Sequence, residues 1–159
     1  MSFRVGFGFD VHQLKEGLDF WIGGIIVPHT KGGHGHSDAD VLIHSICDAL
    51  LGAANLGDIG KHFPDTAAEY KGIDSKILLK EVMVLVRNKG YEIGNIDSTI
   101  CLQTPKIGPY IAEMQKVLAI CMNIDVDQVS IKATTTEKLS FVGREEGVSA
   151  YATVLITKI

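Results

Sequence analysis

Three side chains have the types and spacing of a metal site: Asp10, His12 and His44. Asp10 and His12 stand two residues apart in an apolar run that we predict to be a strand, so both would point to the same face. His44 follows the helix-start sequence His36-Ser-Asp-Ala-Asp40. One carboxylate and two imidazoles with an open fourth position are typical of a catalytic zinc ion. The alternative from spacing alone is that these are ordinary half-buried histidines and a turn aspartate.

A second candidate is the segment Ala133-Thr-Thr-Thr-Glu137, which follows an apolar strand. Consecutive hydroxyl and N–H groups at the end of a strand suit phosphate oxygens, and Glu137 suits a hard cation such as magnesium. Three threonines are also good strand sequence, so the alternative is a continued strand with a solvated Glu137.

Two carboxylates lie on loops that are shaped by glycine and proline. Asp58 belongs to Gly57-Asp-Ile-Gly60, and Asp65 belongs to Phe63-Pro-Asp-Thr66. There they could accept hydrogen bonds from substrate hydroxyls, although such residues more often stabilise turns.

Two further segments combine free backbone groups with a cation. Thr104-Pro-Lys-Ile-Gly-Pro109 could read the edge of a base with Lys106 near a phosphate, or simply connect a strand to a helix. In Phe141-Val-Gly-Arg-Glu-Glu-Gly147, Arg144 with its aromatic neighbour could bind a phosphate, or the segment could form a turn or an interface.

The elements that must position these residues follow from hydrophobic periodicity and helix-end signals. Ser37 with Asp40 predicts a capping box, and either Asp40 or Asp48 is expected to orient His44 from the same helix. We predict strands over 3–10, 19–27, 93–103, 129–134 and 147–158, helices over 37–53, 74–89 and 109–123, and a loop over 56–66. The predicted fold is α+β, a mixed β-sheet with helices packed on one face, in a single domain over 1–159.

Composition limits the classes of function. The net charge of −4 argues against a nucleic-acid surface, and no apolar stretch approaches the roughly 18 residues of a membrane span. The three cysteines are scattered through apolar elements, which favours reduced thiols over disulfides. With no targeting segment recognised, we expect a cytoplasmic protein. The hydrophobic content of 46% hints at contacts between subunits.

Familiar catalytic motifs are absent from the sequence. It contains no Gly-x-Ser-x-Gly elbow, Walker loop or Rossmann glycine fingerprint, and no obvious nucleophile. Any chemistry would therefore depend on metal ions and on the positioning of the substrate.

Taken together, the motifs closely resemble those of the 2-C-methyl-D-erythritol 2,4-cyclodiphosphate synthases of the non-mevalonate isoprenoid pathway. The resemblance covers nearly the whole chain, and several blocks in the right order are more specific than any one of them. The blocks are Gly8-Phe-Asp-Val-His12, His36-Ser-Asp-Ala-Asp40, Asp48-Ala-Leu-Leu-Gly-Ala-Ala54, Gly57-Asp-Ile-Gly-Lys61, Phe63-Pro-Asp65, Lys132-Ala-Thr-Thr-Thr-Glu-Lys138 and Gly143-Arg-Glu-Glu-Gly147.

The resemblance implies a lyase that works as a homotrimer with its active sites between subunits. The implied substrate is 4-diphosphocytidyl-2-C-methyl-D-erythritol 2-phosphate, whose 2-phosphate attacks the β-phosphorus, closes a ring and releases CMP. The resemblance also implies that Asp10, His12 and His44 bind zinc or another divalent transition metal. It assigns Glu137 to magnesium or manganese, and His36 and Thr135 to transition-state stabilisation.

The resemblance also assigns the residues that bind substrate. The methylerythritol phosphate part is matched by Ser37, Asp58, Ile59, Gly60, Phe63, Pro64, Asp65, Thr66 and Ala67. The cytidine diphosphate site is matched by Leu102, Gln103, Thr104, Pro105, Lys106, Ile107, Gly108, Thr134 and Thr136. Phe141 and Arg144, with Glu146, match residues near the trimer axis, where members of the family can hold an isoprenoid diphosphate.

Three positions depart from the family pattern. Phe7 stands where many members have histidine, Gly108 replaces a larger residue, and Ala39 replaces a frequent glycine. We expect the second position of a helix to tolerate Ala39, and the metal residues to be unaffected by Phe7.

Two other classes of function remain open from the sequence. A zinc phosphodiesterase would use a metal-bound water and give a linear product. A binding module would carry isoprenoid diphosphates around a structural metal, although this leaves the open fourth position of the metal site unexplained.

Overall fold

The computed structural model describes residues 2–159 and contains a five-stranded sheet and a separate two-stranded hairpin, with the three long helices packed together on one face of the sheet. The strands are β1 (Phe3–Glu16), β2 (Phe20–Ile22), β3 (Ile25–Val27), β4 (Lys31–His34), β5 (Tyr91–Cys101), β6 (Val129–Thr134) and β7 (Gly147–Lys158). The helices are α1 (Val41–Ala53), α2 (Ile59–His62), α3 (Ser75–Asn88), α4 (Ile111–Met122) and α5 (Ser140–Gly143), and 3₁₀ turns cover Ala68–Tyr70, Gly108–Tyr110 and Val126–Gln128.

The sheet is mixed, which confirms the predicted α+β class. Its strand order is β4-β1-β7-β5-β6, and among the described residues β5 and β6 are the one pair of neighbouring strands that is parallel. The predicted last two strands agree with β6 and β7. Four buried side chains of β7 share the predicted inner face with Ala150: Val148, Ala152, Val154 and Ile156.

Several predicted boundaries were wrong. The first strand continues beyond residue 10 to Glu16, because its later residues pair with β4 as well as with β7. The run 19–27 is a hairpin rather than one strand, since Gly23 and Gly24 turn the chain with positive φ. The expected loop 56–66 contains the short helix α2, and β4 was not predicted because Gly32 and Gly33 carry no apolar alternation.

Helix α1 begins differently from the prediction. Its N-cap is Asp40, whose carboxylate accepts a hydrogen bond from the Ile43 N–H, so the capping box between Ser37 and Asp40 was wrong. Ala39 lies before the helix at φ 59°, not at its second position. In this left-handed region an L side chain is strained, which gives a physical reason for glycine at this position.

Strand β1 divides its side chains between the two faces of the sheet. Gly6, Gly8, Asp10 and His12 lie on the face that carries α1, whereas the odd-numbered apolar residues are on the opposite face. Five large side chains of that opposite face are at least two-fifths exposed: Phe3, Val5, Phe7, Phe9 and Val11.

Helix α1 rests almost directly on the backbone of β1. A methyl group at Gly6 would lie 1.9 Å from the Ala49 carbonyl oxygen, and one at Gly8 would lie 1.9 Å from the Ser45 carbonyl oxygen. Such distances are far inside van der Waals contact, so only glycine permits this approach.

The other features of the fold concern thiols and membranes. All three cysteines are free, and burial raises the pKa of the Cys47 thiol well above its usual value. Within residues 2–159, none of the helices has the length and apolar character that a membrane crossing requires.

We predict that Gly8→Ala destabilises the protein by about 3 kcal/mol, because overpacking against helix backbone cannot be relieved by a rotamer change. The matched control is Gly52→Ala in α1, where an added methyl meets nothing within 4 Å. The control should be neutral or stabilise by up to about 1 kcal/mol. Urea unfolding at one protein concentration measures both, and equal effects would contradict the close-approach interpretation.

Candidate metal centre and its flanking pockets

Three ligand atoms converge where β1 faces α1. Asp10 Oδ2 lies 2.8 Å from His12 Nε2 and 3.1 Å from His44 Nδ1, and the two imidazole nitrogens are 3.1 Å apart. The ligand atoms of a tetrahedral zinc ion lie about 3.3 Å from one another, given metal–ligand distances near 2.0–2.1 Å. The triangle therefore needs only a slight widening to hold a divalent cation, and the three residues form a possible metal site.

The electrostatics of the three residues favours the binding of a cation. Burial of the Asp10 carboxyl disfavours its charge, but hydrogen bonds and charge interactions with His12 and His44 outweigh burial and hold its pKa at about 2. Burial of the His44 imidazole opposes protonation, but Asp10 outweighs it and raises the pKa of His44. A metal ion would replace the proton that Asp10 attracts to this imidazole.

The expected orienting partners of His44 were wrong. The Asp40 carboxylate is fully buried and accepts three backbone hydrogen bonds, two of them from the β2–β3 turn. Asp48 Oδ1 accepts a hydrogen bond from the Ile59 N–H at 2.8 Å. Neither carboxylate reaches the ring of His44, because each is used to hold a neighbouring segment.

The distal nitrogen of His44 instead faces two hydroxyl groups. Its Nε2 lies 2.9 Å from Ser75 Oγ and 3.2 Å from Ser37 Oγ. Ser75 was missed by sequence analysis, because it opens α3 at a distance of 31 residues from His44 and belongs to no recognised motif.

A cavity of about 280 Å³ opens beside the metal residues. It brings His12 and His44 together with five of the predicted substrate or catalytic residues: His36, Ser37, Ile59, Phe63 and Asp65. Sequence analysis missed Gly35, Tyr70, Ile73 and Leu78, which complete the lining.

Other predicted residues of this region lie beside the cavity rather than on its wall. The Asp58 carboxylate accepts a hydrogen bond from the Lys61 N–H at 3.0 Å and caps α2, which matches the turn-stabilising alternative. Ala67 contributes its carbonyl oxygen, 3.1 Å from His36 Nε2. Gly60, Pro64 and Thr66 do not line it.

A second cavity, of about 320 Å³, lies between the loop after β5 and the end of β6. Eight predicted residues line it: Leu102, Gln103, Pro105, Lys106, Ile107, Gly108, Thr134 and Thr135. The predicted residues Thr104, Thr136 and Glu137 do not. This cavity shares no lining residue with the first one.

Two contacts tie the loop over residues 102–108 to the segment that follows β6. Gln103 Oε1 accepts a hydrogen bond from the Lys138 N–H at 3.1 Å. The hydroxyl of Thr104 donates to the Glu145 carboxylate. The Glu137 side chain is exposed, and its backbone has a positive φ of 54°.

Two of the three residues predicted near a trimer axis lie on a third cavity, of about 380 Å³. Phe141 and Glu146 line it beside Val11 and His12. Arg144 forms an exposed ion pair with Glu146, with Nε and Oε1 2.8 Å apart.

The fold and this site define a class: α+β proteins with an Asp-His-His site between a strand and a helix. Residues 3–157 match the model of the YgbB family, and the chain belongs to that family. A protein of Bacteroides fragilis named 2-C-methyl-D-erythritol 2,4-cyclodiphosphate synthase is 67% identical over 159 residues, which are all of both chains.

Solved structures agree with this assignment. A 2C-methyl-D-erythritol-2,4-cyclodiphosphate synthase in its CDP-bound form is 35% identical, with a TM-score of 0.89 over 97% of this chain and 100% of that one. The bifunctional IspDF from Campylobacter jejuni is 41% identical, with a TM-score of 0.96 over 99% of this chain and 43% of that one.

We predict that Asp10→Asn weakens zinc binding by more than the roughly 10–100-fold that loss of an outer partner costs, because the amide cannot supply the anionic ligand of the site. Competition against a chromogenic chelator measures the affinity. Asp48→Asn is the matched control, since it removes a carboxylate from α1 but leaves an oxygen for the Ile59 N–H. Equal losses in both variants would contradict Asp10 as a ligand.

Proposed function

We propose that this protein converts 4-diphosphocytidyl-2-C-methyl-D-erythritol 2-phosphate to 2-C-methyl-D-erythritol 2,4-cyclodiphosphate and CMP, as a phosphorus–oxygen lyase of non-mevalonate isoprenoid biosynthesis. The observation that carries this proposal is the Asp10-His12-His44 triangle, whose two histidines line a cavity together with His36 and Ser37. The full-length identity of 67% to a curated synthase supports it.

The reaction needs no protein nucleophile, because the substrate contains one. An oxygen of the 2-phosphate forms a bond to the β-phosphorus while the bond from that phosphorus to the CMP oxygen breaks, and CMP leaves with the electron pair. The protein must hold a flexible polyanion folded on itself. Ideal orientation of intramolecular partners lowers a barrier by about 7–11 kcal/mol.

The proposed metal sites use residues of strand β1, of helix α1 and of the segment that follows β6. Asp10, His12 and His44 would hold zinc or another divalent transition metal, and Glu137 would hold magnesium or manganese with substrate phosphates. Bound there, the cations supply positive charge that screens the reacting phosphates from each other and stabilises charge developing in the transition state.

We assign the remaining polar groups from the position of each side chain. His36 lies on the first cavity with Nε2 3.1 Å from the Ala67 carbonyl oxygen, where it can donate to a phosphate after a small movement. Thr135 lies on the second cavity, where its hydroxyl could donate to the β-phosphate. We propose both as the residues that stabilise the transition state.

The second cavity is our proposed cytidine diphosphate site. Its wall combines the backbone of the 102–108 loop with Lys106 and the hydroxyls of Thr134 and Thr135, which suits a base edge and phosphate oxygens. A solved relative in a CDP-bound form supports this assignment. A methyl group added at Gly108 would meet no neighbour within 4 Å, so a larger residue would fit there.

We propose that two subunits of a homotrimer complete each active site. The two cavities of one chain share no lining residue, so a neighbouring chain is a natural source of the missing half. The apolar outer face of β1, with Phe7 63% exposed and Phe3 60% exposed, supports a buried contact between subunits. Near the axis, Phe141, Arg144 and Glu146 would hold an isoprenoid diphosphate.

We further propose that residues 1–159 act as one domain in the cytoplasm. The three free cysteines fit a reducing compartment.

Phosphorus NMR of the purified protein with the cytidyl substrate and magnesium tests the reaction. We predict a cyclic diphosphate and CMP, loss of turnover after chelation, and recovery with zinc plus magnesium, because the acidic chain has few other charges to offset the phosphates. A linear product would instead identify a zinc phosphodiesterase. Absence of turnover in metal-replete protein would leave only the binding module.

Co-expression of two inactive variants tests the shared site. We choose Asp10→Asn in the Asp10-His12-His44 site and Glu137→Gln in the proposed second metal site. Each variant carries a different affinity tag. Any cyclic trimer that contains both variants has one interface at which both halves are intact, so double-tagged protein should recover about one third of wild-type activity. Inactive double-tagged trimers would contradict a site between subunits, and failure to isolate double-tagged protein would contradict the trimer.

A further inference from the structure

A buried serine and a carboxylate form a chain of hydrogen bonds behind His44. Ser75 is the first residue of α3 and is completely buried. Its Oγ lies 2.9 Å from His44 Nε2 and donates to Asp38 Oδ1 at 2.5 Å. The N–H of Ser75 donates to the other oxygen of the same carboxylate at 3.0 Å. The Asp38 carboxylate therefore accepts hydrogen bonds from both the hydroxyl and the backbone N–H of Ser75.

The protons of this chain can be assigned by counting donors. A serine hydroxyl has one proton, and the Ser75 proton is committed to the Asp38 carboxylate. Ser75 Oγ can then only accept from His44, so Nε2 of His44 must carry a proton. The neutral ring keeps its lone pair on Nδ1, which is the nitrogen 3.1 Å from Asp10 Oδ2.

We propose that Asp38 and Ser75 are positioning residues that fix the tautomer and ring orientation of His44, so that it binds metal through Nδ1. His12, in contrast, presents Nε2 to the same point. The inference rests on the proposed metal site and extends it, because outer partners of this kind set both the tautomer and the basicity of a ligating imidazole.

Asp38 also has a structural role, which the test must separate from its effect on His44. Its backbone N–H donates to the Ile73 carbonyl oxygen at 3.2 Å, so Asp38 helps to fix the start of α3. Asp74 caps the same helix, and its carboxylate accepts from the Lys76 N–H at 2.9 Å without reaching His44. Asp74→Ala therefore weakens the same helix end and leaves the hydrogen-bond chain intact.

The decisive comparison is Ser75→Thr against Ser75→Val. The two side chains have the same shape and add the same bulk to a buried position, so packing costs cancel, and only threonine keeps the hydroxyl. We expect the threonine variant to bind zinc about 10–100-fold more tightly than the valine variant, as measured by chelator competition.

The carboxylate is tested by a second pair of variants. Asp38→Asn should lose zinc affinity, and Asp74→Ala should not. The cobalt-substituted valine variant should show shifted visible absorption bands.

Long-range nitrogen–proton NMR of histidine-labelled protein tests the assignment directly. In zinc-bound wild type we expect the proton of His44 on Nε2 and the metal on Nδ1. Ligation through Nε2, or equal zinc affinity in the threonine and valine variants, would overturn this inference while leaving the metal site in place. Failure of the wild type to bind zinc would overturn both the inference and the proposed function.

Discussion

The close approach of helix α1 to strand β1 is the constraint on which the site depends. Gly6 and Gly8 carry no side chain on the inner face, so the carbonyl oxygens of Ala49 and Ser45 can sit where methyl groups would otherwise project. His44 precedes Ser45 and reaches Asp10 only because the helix lies this low on the sheet. A larger residue at Gly8 would lift the helix and separate the strand ligands from the helix ligand.

A buried carboxylate fixes where that helix begins. Burial and the nearby Asp38 raise the pKa of Asp40, while hydrogen bonds from the Ile43 and Gly24 N–H groups oppose the rise. Those hydrogen bonds join the first turn of α1 to the β2–β3 hairpin. The side chain of Asp40, four residues before His44, therefore sets the position of His44 along the helix axis. Ala39 keeps a left-handed backbone beside it, at a cost of about 1–3 kcal/mol.

Local periodicity made part of this site predictable. The two-residue period of a strand was enough to place Asp10 and His12 on one face, and the pattern of α1 was enough to put His44 on a helix. Ser75 could not be found in this way, because its contact with His44 joins two helix starts that are distant in sequence. Asp40 and Asp48 had the correct helical spacing to contact His44, but their carboxylates accept hydrogen bonds from backbone N–H groups instead. Sequence spacing predicts which side chains are neighbours, but it does not predict from which of several N–H groups a carboxylate will accept a hydrogen bond.

Electrostatics links the metal residues to the proposed polyanionic substrate. With net charge −4, the chain cannot attract a triply phosphorylated molecule through its overall field. The metal triangle alone does not help, since the low pKa of Asp10 keeps its carboxylate charged and a proton drawn to His44 at most offsets that charge. A bound divalent cation would take the place of that proton; with one carboxylate and two neutral imidazoles as its ligands, it would give the site a net positive charge. Its proposed role therefore begins with binding, before any bond is made or broken.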